Sequence, residues 1–528
     1  MAELLHQLIL DTAKRDPALM ALSYKDQALD YGSLAAQIDA AARAIAGLGL
    51  KRGERLGIYL EKRLEMVVAM FGAAAAGCVF VPINPVLKPR QVGYILRDCN
   101  VRVLVTSRQR VADLGEELKA SPDLFAVVLV DGDGAKGASG GPATLDWAAL
   151  LAGKNAAPHR VIDTDMAAIL YTSGSTGNPK GVVLSHRNMV AGAKSVSQYL
   201  ENNSSDRILS VLPLSFDAGL SQLTTAFNVG AKLVLLNYLL PRDVLKACAD
   251  EGITGMTGVP PLWIQLVELT WPEPARQSLR YFANTGGHMP FATLQKLRAA
   301  MPKAKPYLMY GLTESFRSTY LDPSEVDRRP DSIGKAIPNA EILVVRPDGT
   351  LCDADEPGEL VHRGALVSMG YWNDPERTAE RFRPVPSQLK AICLPEMSVW
   401  SGDIVRRDAE GFLYFIGRRD EMIKTSGYRV SPTEIEEVVY STGLVGAAAA
   451  IGVPHERLGQ GIIVVASPPE GGALDRDQLL AKCRQNMPQY MVPLQIIERA
   501  SLPRNPNGKI DRKLLSGEFA DAFQQETA

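Results

Sequence analysis

Apolar positions along the chain recur with two different spacings. Across residues 31–48 ("YGSLAAQIDAAARAIAGL") and 88–98 they return every three or four positions, as on one face of a helix. Such stretches precede short β-branched runs, "ERLGIYL", "VRVLVTS", "FAVVLVDG", "AAILYT" and "AKLVLLN", which read as strands fed by crossover helices. The longest apolar run, 66–81 ("MVVAMFGAAAAGCVFV"), falls short of the roughly 20 residues that span a bilayer and is rich in Gly and Ala. A buried helix running into a strand is expected there. Past Gly334 the texture changes to short strands with turn signals, as in "AEILVVRPDGTLC", "GELVHRG" and "DAEGFLYFIGRRDEM", which predicts a β-rich subdomain. A last module of helices and strands begins near Asp420. The expected fold class is α/β: a large N-terminal domain of layered sheets and helices, 1–419, and a small C-terminal α+β domain, 420–528. The small-residue segment 131–142 ("DGDGAKGASGGP") reads as a surface loop rather than a linker.

Composition narrows the function. The 528 residues are 46% hydrophobic and 22% charged, which is ordinary for a globular chain and unlike a disordered or fibrous one. A formal charge of −2 supplies no bulk attraction to nucleic acid or an anionic membrane, so any anion must be held locally. The six cysteines stand singly, with no C-x-x-C pair or zinc spacing, as expected of reduced thiols in the cytoplasm. The start "MAELLHQLILDTAKRDP" carries Glu3 and Asp11 where a signal peptide would be basic, so export is not expected. Neither an internal repeat nor a nucleic-acid motif is present.

The stretch "YTSGSTGNPKGVVLSH", 171–186, stands out against this background. It follows the strand-like "MAAILYT" and offers backbone N–H groups that Gly174 and Gly177 let approach a ligand closely, with hydroxyls on Thr172, Ser173, Ser175 and Thr176. That is the make-up of a phosphate cradle. It is not the G-x-x-x-x-G-K-[ST] loop, because Pro179 stands where the second glycine belongs and Lys180 is followed by Gly.

The full string resembles the signature loop of the adenylate-forming superfamily of acyl-CoA ligases, amino-acid adenylation domains and luciferases. Further motifs agree in order across nearly the whole chain: "TGG" at Thr285, "YGLTES" at Tyr310, "SGD" at Ser401, "GRRDEMIKTSGYRVSPTEIE" from Gly417 and "RNPNGKIDR" from Arg504. Within that superfamily, "YLMYGLTESFRSTYLDPSEVDRRPDSIGKAIPNAE" is most similar to the AMP-forming acyl-CoA ligases of exosortase A systems. The resemblance implies a ligase that uses ATP and Mg²⁺ to make an acyl-adenylate and then a thioester, with CoA or a carrier-protein phosphopantetheine as acceptor. The alternatives it leaves are a stand-alone amino-acid adenylation enzyme loading a carrier protein and, from another class, a non-catalytic nucleotide-binding protein. Partners implied are a small carboxylic or amino acid and an acyl or peptidyl carrier protein.

Residue roles follow from the same resemblance. Thr172, Ser173, Ser175, Thr176 and Lys180 would hold the β- and γ-phosphates, Thr313 the α-phosphate, and Glu314 the Mg²⁺. Tyr310 and Gly311 would face the adenine, with Gly286, Gly287 and His288 lining the base. Asp403 would accept from the ribose hydroxyls with Arg418 beside it. Lys509 would reach the carboxylate and α-phosphate as negative charge builds. Asp420 matches the hinge of a mobile C-terminal domain, whose second orientation would bring Ser426, Gly427 and Tyr428 to the site to open a thiol channel.

The pocket for the acid is where the family pattern divides. After a "LPL" turn this chain reads "LPLSFDAGLSQL", with Asp217 following Phe216 as in amino-acid adenylation domains, where the Asp grips an ammonium. Met309 and Arg317 fall in columns that line the same pocket, and Arg317 could pair with a second substrate carboxylate. In the alternative, Asp217 caps a helix and Arg317 pairs with a structural acid, Asp217 itself included, leaving a neutral pocket. Trp263 in "GVPPLW" reads as core or as a wall of the acyl pocket, and His186 as a structural hydrogen-bonding residue.

Overall fold

Two helices of small side chains organise the large part of the molecule. Leu64–Ala76 and Tyr31–Gly47 pack so closely that a Cβ added at Gly72 would sit 2.7 Å from that of Ala41, which accounts for the Gly/Ala richness of the apolar run. The run continues into strand Val79–Pro82, as its pattern predicts. The computed structural model describes residues 2–132, 141–153, 155–172, 179–386, 393–419, 421–425, 428–455, 458–469, 471–505 and 508–523. Loop 131–142 lies largely outside these.

Three sheets are present among the described residues. A seven-stranded sheet is parallel from Ala143–Asp146 through Arg55–Tyr59 to Met166–Thr172, then turns back through the antiparallel strand Lys180–Ser185. A second sheet has fourteen strands. Its parallel centre, which includes Arg207–Ser210, Gly255–Gly258, Tyr281–Asn284 and Lys305–Tyr310, continues without a break into the antiparallel strands that follow Gly334. The β-rich subdomain is therefore an extension of a main sheet: Ser332–Ala336 pairs both with Thr319–Leu321 and with Leu413–Arg418. Helices bury the sheet faces, and the parallel strands are apolar on both sides as such a layering requires.

The C-terminal module has its own five-stranded sheet, with Ala447–His455 and Gly459–Ser467 as an antiparallel hairpin, and its own apolar clusters. Helices Pro432–Ser441 and Arg476–Asn486 cover it. No helix among the described residues is long and apolar enough to cross a membrane.

Candidate active site

A cleft of about 2290 Å³ runs between the large part and the C-terminal module. Thr172 and Tyr310 end their strands at its mouth, and Thr285 follows one directly, so the carboxyl ends of parallel strands face the cleft, where α/β sheets place ligands. Thr172 and Lys180 sit opposite each other as the last pair of their antiparallel strands, next to the segment that joins them. Ser173, Gly174, Ser175, Thr176 and Gly177, between them in sequence, lie outside the described residues.

Lys180 packs its ammonium 4.8 Å from the ring centre of Tyr371, and the Tyr371 hydroxyl donates to Glu314 Oε1 at 2.5 Å. Burial lowers the Lys180 pKa, and the Glu314 carboxylate works against that shift. Tyr371 thus ties the cation of one motif to the carboxylate of another. Sequence reasoning missed it, and the only signal was an aromatic pair, "YW", in an otherwise polar turn.

On the opposite wall the Tyr310 hydroxyl donates to Asp403 Oδ2 at 2.5 Å. Register places Asp403 directly across from Arg418, whose Nε is 3.6 Å from Asp403 Oδ1. That oxygen is buried and has no hydrogen-bond partner. Burial raises the Asp403 pKa, opposed by the charges of Arg418, Lys509 and Arg381 and by the Tyr310 hydrogen bond. Arg381, which sequence reasoning also missed, donates to Trp400 O at 3.2 Å and lines the cleft. Its charge is felt at Lys180, Tyr371 and Asp403 alike.

From the C-terminal module, Lys509 enters on a turn closed by two contacts with Asn505: Asn505 N–H donates to Lys509 O at 2.8 Å and Lys509 N–H to Asn505 Oδ1 at 3.1 Å. A Cβ on Gly286 would lie 3.7 Å from Lys509 Cε, and Gly286 has φ +76°, a conformation that a larger side chain resists. Gly287 and Gly311 also line the cleft. His288 Nε2 meets Glu437 of the C-terminal helix Pro432–Ser441 at 2.5 Å, so this side chain bridges the cleft as well as lining it. Ser426, Gly427 and Asp420 lie outside the described residues. Tyr428 starts the strand Tyr428–Val430 of the C-terminal sheet.

Also at the cleft, Phe216 precedes helix Asp217–Val229 and Asp217 opens its first turn. Arg317 Nη1 donates to Asp217 Oδ2 at 2.7 Å, and Thr313 Oγ1 to Asp217 Oδ1 at 3.3 Å. The chain reaches this geometry through Phe316, a fully buried residue held at φ +57°, which turns Arg317 back under Tyr310. With Arg317 only 2% exposed, its charge is met by Asp217, the pairing that the alternative reading allowed. Met309 lies beside them and its sulfur accepts from the Tyr199 hydroxyl at 3.0 Å. Trp263 is core, at 0% exposed and packed on Phe282. His186 is structural, buried and accepting from Leu5 N–H at 3.1 Å.

Residues 9–372 match the model of the AMP-binding enzyme family, and 434–509 that of the AMP-binding enzyme C-terminal domain. The chain is 28% identical to bacitracin synthase 3 of Bacillus licheniformis, aligning 97% of itself with 8% of that protein. It is 29% identical to the L-proline--[L-prolyl-carrier protein] ligase of Pseudomonas fluorescens, over 97% of this chain and 99% of that one. Thus it spans a small fraction of the synthase and nearly the whole of the carrier-protein ligase. Among solved structures it superposes on the O-succinylbenzoate coenzyme A synthetase MenE of Bacillus subtilis, in complex with ATP and magnesium ion, with a TM-score of 0.81 and 25% identity over 96% of this chain and 98% of that one.

Proposed function

Because the chain belongs to the AMP-binding enzyme family, we infer that it is an AMP-forming acid–thiol ligase acting in two half-reactions. In the first, a carboxylate oxygen attacks the α-phosphorus of ATP, the bond from that phosphorus to the bridging oxygen breaks, and pyrophosphate leaves. In the second, a thiol of CoA or of a carrier-protein phosphopantetheine attacks the acyl carbonyl and AMP leaves. The observation that carries this reading is the approach of Lys509 to the Gly286 loop and within electrostatic reach of Asp403, three residues remote in sequence meeting in one cleft.

The chemistry assigns each group a task. Thr172 and Lys180, with the turn between them, would receive the triphosphate, whose charge also compensates the burial of the lysine. The unpartnered Asp403 Oδ1 suits a ribose hydroxyl, Oδ2 being held by Tyr310. Tyr310, Gly311, Gly286, Gly287 and His288 would surround the adenine. Lys509 would stabilise charge on the carboxylate and α-phosphate as they meet, and Arg381 adds positive potential between the phosphate and ribose ends. The described residues hold no group of three or more His, Cys, Asp or Glu suited to a metal. A single carboxylate completed by substrate phosphates and water is, however, an ordinary Mg²⁺ set, and Glu314 beside Lys180 fits it. When bound there, Mg²⁺ would spread the charge of the triphosphate.

We assign 1–419 to adenylation and 420–528 to a domain that turns about Asp420 between half-reactions, bringing Ser426, Gly427 and Tyr428 toward the thiol. The approach of Lys509 to the Gly286 loop supports reading this arrangement as the adenylating one. Carrier-protein loading is the second reading, favoured by the end-to-end similarity to a carrier-protein ligase. Single cysteines and a near-neutral charge support a cytoplasmic setting. Exchange of labelled pyrophosphate into ATP, screened over carboxylic and amino acids, tests the first half-reaction. Failure to exchange with any acid overturns the assignment.

A further inference from the structure

On the far side of Ala218 and Met309 from the cleft lies a second cavity of about 10 Å³, room for one water-sized group. Gln222, Thr225 and Arg317 line it, at 5%, 2% and 2% exposed. One atom of each, Gln222 Oε1, Thr225 Oγ1 and Arg317 Nε, is buried without a hydrogen-bond partner. Gln222 is oriented by its Nε2, which donates to Leu209 O at 3.0 Å, so the atom left over is an acceptor. Arg317 makes its hydrogen bonds through Nη1, to Asp217 Oδ2 and Phe316 O, so the atom left over is a donor. Buried polar atoms are rarely left this way, and three among the residues lining one cavity mark a place to be filled.

The adenylation reading makes Asp217, Ala218 and Met309 the inner end of the acid-binding pocket. Resting on that reading, we propose that the small cavity is a subsite for the far end of the acid, and that the group it receives is an uncharged hydroxyl. The hydrogen-bonding pattern selects it: the occupant must accept from Arg317 and donate to Gln222, with the Thr225 hydroxyl free to do either. A carboxylate accepts and cannot donate. An ammonium donates and cannot accept, and a methyl group does neither. Charge argues the same way, because Arg317 and Asp217 neutralise each other at 2.7 Å. Size limits what enters to a single terminal group, since nothing larger fits beyond Met309. A site built to hydrogen-bond a substrate hydroxyl rejects the analogue lacking it far more strongly than an apolar pocket rejects an added one.

The test is pyrophosphate exchange with acids of two to six carbons in matched sets ending in methyl, hydroxyl, ammonium or carboxylate. At the best length the hydroxy acid should exceed each partner in kcat/KM by about tenfold or more. Thr225→Val, nearly isosteric, should cut the hydroxyl-over-methyl preference about fivefold while leaving the methyl acid and the KM for ATP unchanged. Gln222→Met should act in the same direction. A methyl, ammonium or carboxylate acid equal to or better than the hydroxy acid overturns the subsite, as does a Thr225→Val variant in which hydroxyl and methyl acids fall together. Exchange with some other carboxylic acid but none of this panel overturns it too. Exchange with no carboxylic acid at all removes the adenylation reading itself.

Discussion

His288, at the lip of the large part, meets Glu437 of the C-terminal module at 2.5 Å, a contact across the cleft between residues 149 positions apart. Both side chains are about one-third exposed, so the pair is worth under about 1 kcal/mol. Its effect is on orientation rather than folding. Burial alone would raise the Glu437 pKa, but the hydrogen bond and charge of His288 and a backbone hydrogen bond from Phe291 together outweigh it, so the pKa falls. A depressed carboxyl contributes above its ordinary value of 4.5 and loses that contribution as pH falls through its value in the fold. Glu437→Gln should therefore lower pyrophosphate exchange about threefold near neutral pH, with the difference from the parent shrinking as pH falls through the depressed value of Glu437. A variant equal to the parent at neutral pH would mean that the contact does not hold the adenylating orientation.

Lys509 is expected to act only while the adenylate forms. Lys509→Ala should lower pyrophosphate exchange by about a hundredfold or more, roughly 2.7 kcal/mol of transition-state stabilisation. Thioester formation from supplied acyl-adenylate should persist. Equal loss of the two steps would point to a structural role.

Asp403 offers one open oxygen, Oδ1, beside Arg418. If a ribose hydroxyl takes it, the parent enzyme should discriminate against 2′- and 3′-deoxy ATP. Asp403→Asn should raise the KM for ATP about tenfold, or about 1.4 kcal/mol, and shrink that discrimination. Steady-state kinetics with the three nucleotides decides this, and undiminished discrimination in the variant would rule Asp403 out.

Lys62 is buried where the two large sheets meet, with Nζ donating to Val211 O at 2.7 Å and Leu212 O at 3.3 Å. Burial lowers its pKa to about 7 from the ordinary 10.5. Between those values the unfolded chain binds the extra proton, so the contribution of Lys62 to stability grows as pH rises and is flat below pH 7. From pH 7 to 9 the parent should gain about 2 kcal/mol relative to Lys62→Met in urea unfolding. A constant difference across that range would mean the amine stays charged in the fold.

Local spacing was enough for several of the elements, because a helix face and a β-branched run are each specified by neighbours within a few positions. The strand Met166–Thr172 and the helix-to-strand passage after Leu64 were legible in this way, whereas the antiparallel strand Lys180–Ser185 was not. Even Arg418 beside Asp403 followed from motif order. What the linear chain left open was which groups would occupy one another. Asp217 and Arg317 are 100 positions apart, and Tyr310 and Asp403 93. Their side chains meet only once sheet registers and the turn at Phe316 are set. Tyr371 and Arg381 were invisible for the same reason, standing in segments with no motif: Tyr371 is brought to Lys180 and Glu314 beside its bridge to Val182, and Arg381 lines the cleft while donating to Trp400 O. A charge in sequence is merely a candidate, and only tertiary structure decided whether Arg317 would face a substrate directly or be spent on Asp217, since that depends on distances that no local pattern encodes.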